Sequence, residues 1–304
     1  MINKALQWRE WNSKIIRGWI ILLLYPINLI IGVPGIDCRI QSGEVYYSVL
    51  IGFALGLTVL GQERNQGTME FLLSLPFSRK DIFINKIIFS VGQIILAPGV
   101  TFLALVAARF ANSNVQSLLS INDLLNFSSI QIVAALFTFA LTLFFTTLAG
   151  SKLGAGIFTA IFSLFPAGFI SIVKTNAIRW FPFSKHRWEK YFQWGITLSP
   201  INIADSDYVM DYWPWLLAAA SVLIAVAFFL FLRNPMEKKG EVLVFSKLYP
   251  FLKIGVSLCT ALVAGAIAAG LMVGKVLHIV VFIIGGILGW LFTHYIIRRS
   301  QNQV

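Results

Sequence analysis

An all-α polytopic membrane protein is the fold class this sequence predicts, and three observations predict it. Apolar runs recur at the length a bilayer demands of a helix, about 20 residues. Only 12% of the 304 residues are charged and 58% are hydrophobic, against roughly 25% charged in an ordinary soluble domain. The basic residues, which give a formal net charge of +11, stand singly or in pairs between the apolar runs. That placement suits topology determinants and not a phosphate-tracking groove, so membrane lipids are expected partners and nucleic acid is not.

Each element follows from local composition. Residues 1–14 combine Lys4, Arg9 and Lys14 with Leu6, Trp8 and Trp11, the mixture of an interfacial helix on the cytoplasmic surface. Ile15–Val33 is the first span, about 28 Å long at 1.5 Å per residue. It lacks a small-residue cleavage site behind a short apolar core, so no cleavable signal peptide is expected. Pro34-Gly35 ends it. The second span covers 44–62, with Gly52 and Gly56 in the GxxxG spacing of a close-packing face. The third, 82–109, carries Ala97-Pro98-Gly99 at an expected kink. A polar loop over 110–128 leads to the fourth span, 129–149. The tight turn 150–154 then enters the fifth, 155–173, which Pro166 should break.

Residues 174–212 are the longest polar segment. Arg179 to Phe183 and Lys185 to Trp194 mix bases with aromatics, as an outer interfacial anchor or a gate would. The sixth span is 213–232. A basic linker, Arg233 to Lys253, precedes a hairpin of two further spans, 254–273 and 277–296. With both termini cytoplasmic in the cell membrane, 16 of the 24 Lys and Arg fall on the inner side, as the positive-inside rule requires. The expected domains are the interfacial helix 1–14, a six-span core over 15–232, and the linker with two additional spans over 233–304. Cys38 and Cys259 fall toward opposite faces, which argues against a disulfide between them.

Several chemistries are missing. No span carries a charge at its midplane, since Arg109, Lys253, Lys275 and His294 lie near ends where they snorkel to water. Coupling to an ion or proton gradient ordinarily needs such a group, so energy for transport must come from elsewhere. No GxxxxGK[ST] phosphate loop occurs; Gly270 to Lys275 has the wrong spacing and no Ser or Thr. His186, His278 and His294 are dispersed and form no ligand pair, so no metal site is expected. No GxSxG elbow or paired intramembrane carboxylates point to catalysis, and no catalytic residue is assigned. Asn28, Gln93, Thr101, Thr138 and Thr142 are the polar groups that could line a pathway, or instead bond between helices.

The stretch Gln62 to Lys86 is too polar to span and too apolar for a solvated loop. Glu63 and Arg64 come first. Gly67-Thr68 reads as a helix start, with Thr68 as N-cap and Glu70 in the first turn. Met69, Phe71, Leu72, Leu73 and Leu75 supply a short sticky helix that Pro76 stops. Ser78-Arg79-Lys80-Asp81 then caps the next helix. A short amphipathic helix held between two spans suits contact with a soluble partner.

This stretch resembles the loop between the second and third spans of ABC-2 type permeases, the membrane subunits of a class of ATP-driven exporters. The resemblance rests on Glu63-Arg64, Gly67-Thr68-x-Glu70, Leu72-Leu73-Ser74-Leu75-Pro76-x-Ser78-Arg79 and Lys86, and on Leu198-Ser199-Pro200 before the last core span. It implies a six-helix core plus a C-terminal two-helix hairpin, and a short cytoplasmic coupling helix within 62–80 that docks on a separate ATPase. The ATPase-coupling residues it implies are Glu63, Arg64, Gly67, Thr68, Met69, Glu70, Phe71, Leu72, Pro76, Arg79 and Lys86. ABC ATPase subunits, which would bind the ATP and Mg that this chain does not, and a second permease copy or paralogue are the implied partners. Arg233-Asn-Pro-x-Glu237-Lys238-x-Gly240 ahead of an apolar hairpin is similar to a Gram-positive, eight-span subgroup associated with export and cell-envelope antibiotic response. The competing reading is a stand-alone integral membrane protein, either a lipid-modifying enzyme or a scaffold.

Overall fold

A computed structural model describes residues 43–67, 77–111, 120–180, 193, 199–233, 244–271 and 274–301. Every regular element among them is a helix: α1 (Gly43–Val59), α2 (Gly61–Gln66), α3 (Arg79–Ala111), α4 (Ile121–Leu148), α5 (Lys152–Trp180), α6 (Ser206–Leu232), α7 (Tyr249–Gly270) and α8 (Lys275–Gln301). One 3₁₀ turn, Pro200–Ala204, precedes α6 and another, Ser246–Leu248, precedes α7. Six of the helices, α3 to α8, are long and apolar enough to cross a membrane, and α1 is a shorter apolar helix. The chain is an all-α polytopic membrane protein. The first expected span, 15–33, and the interfacial helix 1–14 lie outside the described residues.

Helix ends are set by caps that outlast the apolar runs. The fourth span was expected from 129, but α4 starts at Ile121. Ser120 accepts from the Asp123 amide at 3.2 Å, and Asp123 accepts from the Ser120 amide at 3.0 Å. This reciprocal box satisfies two orphan donors and carries the helix through residues that read as polar loop. Likewise α6 starts at Ser206, because Asp205 caps it through the Asp207 amide at 3.1 Å. Ser151 caps α5 through the Gly154 amide at 3.1 Å. Contrary to expectation, Pro166 does not break the fifth span: α5 runs through it to Trp180, and α3 likewise runs through Pro98. A proline removes one amide and crowds one turn, a cost that neighbouring helices absorb in a membrane protein.

The chain divides into two compact units that do not follow chain order. The first holds α1, α2, α3, α4 to Thr147, and α6. Its centre is α4, apolar on all sides and buried along most of its length. The GxxxG face of α1 lies on it: a Cβ on Gly52 would collide with the Ala135 carbonyl oxygen, and one on Gly56 would sit 2.6 Å from Thr142 Cβ. Thr146 crosses that seam and donates to the Gly56 carbonyl at 3.2 Å.

The second unit holds α5, α7 and α8. Gly285 and Gly289 of α8, also in GxxxG spacing, face Thr260, Ala261 and Ala264 of α7, so this spacing serves packing within the chain. Asn176 of α5 donates to the Leu262 carbonyl of α7 at 3.0 Å and to Ile172 of its own helix at 2.9 Å. Gly265 leaves the room for that amide. The two added spans are therefore fastened to the fifth. His278 is fully buried on α8. Apolar side chains remain exposed along α3, α5, α6, α7 and α8, among them Leu103, Leu153, Phe229, Ile267 and Ile283, which suits surfaces facing lipid.

Candidate functional site

The site is built where α1, α2, α3 and α6 meet in the first unit, at the two ends of the 62–86 segment. At Leu60 the chain leaves α1 and turns into the six residues of α2, which carry Glu63 and Arg64. Gly67 follows with φ 74°. That left-handed conformation is available to glycine without the Cβ penalty, and it is the usual way to close a helix. So Gly67 ends α2, where the sequence suggested the start of the next helix. Thr68, Met69, Glu70, Phe71, Leu72 and Pro76 lie outside the described residues.

The chain re-enters at α3 through the cap that the sequence anticipated. Ser78 Oγ accepts from the Asp81 amide at 3.1 Å and donates to Asp81 Oδ2 at 2.6 Å. From there one face of α3 turns inward: Ile82, Lys86, Ser90, Ile94, Ala97 and Thr101 are all buried, at spacings of three and four. Lys86 thus occupies a core position, two turns into a long apolar helix, and is only 2% exposed. Its ammonium lies 2.5 Å from Glu63 Oε1. Lysine is almost never fully buried unless paired, and here the partner comes from the other end of the segment. Both residues belong to the Gln62 to Lys86 stretch, but their sequence spacing does not pair them. The lysine at a core-phase position of α3 was the available signal.

Two further contacts tie the start of α3 to α6. Phe83 packs its ring 5.5 Å from Phe228 and 5.2 Å from Phe231. Arg79 donates to the Leu232 carbonyl at 3.4 Å, at the end of α6 where the helix dipole favours a cation. Asn85 donates to the Asp81 carbonyl at 2.7 Å. The exit of the segment is therefore held by an ion pair, an aromatic cluster and a helix terminus.

Four of the five residues named for a pathway fall among the described residues. Asn28 lies outside the described residues, and Gln93 is half-buried on α3. Thr101, Thr138 and Thr142 are buried, and each hydroxyl donates to the carbonyl four residues back, at 3.1, 2.8 and 2.8 Å. Among the described residues no three His, Cys, Asp or Glu side chains converge as a metal site would. Elsewhere among the described residues, the Lys253 ammonium lies 3.2 Å from His294 Nδ1 and 5.8 Å from the Trp290 ring centroid.

Comparison with known proteins bears on these residues directly. The model of the ABC-2 family transporter proteins matches residues 12–204, which include the whole 62–86 segment. Over 286 residues the chain is 24% identical to a Bacillus subtilis (strain 168) protein described as "Probable ABC transporter permease YtrC", covering 82% of this chain and 83% of the relative. No solved structure matches the chain.

Proposed function

The chain belongs to the ABC-2 family of transporter proteins, and from that premise we propose that it forms half of the translocation pathway of an exporter powered by a separate ATP-binding subunit. Its place as a multi-pass membrane subunit of a transporter follows from the family and the helices. Three finer points are our reading: the ATPase partner, export as the direction, and a cell-membrane setting with both termini in the cytoplasm. The observation that carries the reading is the family match across the 62–86 segment, whose residues 68–76 combine apolar knobs with flanking charge.

In this reading the Met69–Leu75 stretch is the docking element. Met69, Phe71 and Leu72 fill a cleft of the ATPase; Glu70 and Arg64 are its polar partners. ATP and Mg bind in that partner and need no group from this chain. Closure of the ATPase shifts the docking element, and the helices at its two ends, α2 and α3, carry the shift into the membrane.

Intact mass spectrometry of the complex extracted in mild detergent tests this. The expected result is two permease chains with two Walker-type ATPase chains. Extraction of the chain with no ATPase would overturn the proposal and leave a stand-alone membrane protein.

A further inference from the structure

Resting on that reading, we infer that the Glu63–Lys86 ion pair is a positioning pair: it staples the entry of the docking segment to its exit, so that force on the segment moves α2 and α3 together. The two residues are 23 positions apart, and every docking residue of the loop falls between them. Without a tie, a push on such a loop is absorbed by its two ends moving independently. Gly67, with φ 74°, stands immediately after α2 as a backbone pivot on the entry side. The exit side is long and well anchored, through Phe83 on Phe228 and Phe231 and through Arg79 on the end of α6. Joining the short α2 to that anchored helix makes one lever of both.

Stability alone is a poor explanation of the pair. Replacing a buried ion pair with apolar side chains of similar size is often neutral or stabilising, because the desolvation of two charges offsets their attraction. What an ion pair adds is specificity of register: a Lys ammonium on α3 and a carboxylate on α2 bond in one relative placement, whereas apolar side chains tolerate sliding. The pair sits where sliding would lose the stroke.

The test separates coupling from folding, in the full complex with its ATPase reconstituted into nanodiscs. Three variants are compared: Lys86→Met, the apolar double Glu63→Leu with Lys86→Met, and the exchange Glu63→Lys with Lys86→Glu. The readouts are ATPase stoichiometry in the complex, melting temperature, and kcat and KM for ATP. The apolar double should melt at or above wild type while its kcat falls about tenfold, a loss of about 1.4 kcal/mol of transition-state stabilisation. KM for ATP should stay within about twofold, since the nucleotide site lies in another subunit. The exchange should recover much of kcat. If the apolar double matches wild type in kcat, or if kcat merely tracks melting temperature across the variants, the pair is ordinary packing and the inference fails with the exporter reading intact. If wild type carries no ATPase, both fail together.

Discussion

Substituting alanine for glycine at two positions separates close helix packing from helix propensity. In α1, Gly52 lies so near α4 that an added Cβ would collide with the carbonyl oxygen, carbonyl carbon and Cα of Ala135. In α3, a Cβ on Gly92 would meet nothing within 4 Å. Gly→Ala in a helix interior gains roughly 0.5–1 kcal/mol from backbone entropy. Overpacking a close interface costs about 1–3 kcal/mol. Gly92→Ala therefore stabilises, and Gly52→Ala destabilises by about 1–2 kcal/mol net. The gap of about 1.5–3 kcal/mol, at about 2–4 °C per kcal/mol, should set the two melting temperatures roughly 3–12 °C apart. Melting followed by fluorescence-detected size exclusion in mild detergent reads that difference. Ala135→Gly should not rescue Gly52→Ala, because the collision is with main-chain atoms. A Gly52→Ala protein that melts with Gly92→Ala would refute the close approach of α1 to α4.

Three other outcomes follow from the structure. Asn176→Ala removes the bond from α5 to the Leu262 carbonyl of α7 and should cost about 0.6–1.7 kcal/mol; Asn176→Asp, which keeps the shape and loses the donor, should melt no higher. Ser78→Ala deletes the cap of α3 at about 0.5–2 kcal/mol, seen as faster amide exchange confined to the first turn of that helix. Replacing Glu70 and Phe71 together with alanine should leave membrane insertion intact and lower ATPase co-purification or transport; unchanged values for both would count against the docking role.

The site was legible only in part, and the pattern of successes is instructive. The Ser78 cap and the GxxxG face of α1 could be read because each depends on residues three or four apart. The Ser120–Asp123 and Asp205 caps are equally local, yet the polarity of their turns concealed them behind an expectation of loop. Pro166 misled in the other direction, since the penalty it carries in an isolated helix is offset by surroundings that composition does not describe. Glu63 and Lys86 were named as members of one segment, but nothing in their spacing says that they bond to each other. The fastening of the last two spans to α5 was equally hidden: Asn176 and Leu262 are 86 positions apart.

From the residues alone came the class, the apolar stretches that form α1 and α3 to α8, and the polar segment between α1 and α3. Transfer of a side chain into hydrocarbon is a local and nearly additive free energy, so it can be summed along a chain. Tertiary structure decided which helices approach closely enough to need glycine, which polar groups bond between helices, and that a lysine in an apolar helix is neutralised by a distant glutamate. Those outcomes depend on pairs of positions brought together by folding, where the energy of one residue has no value until its partner is known.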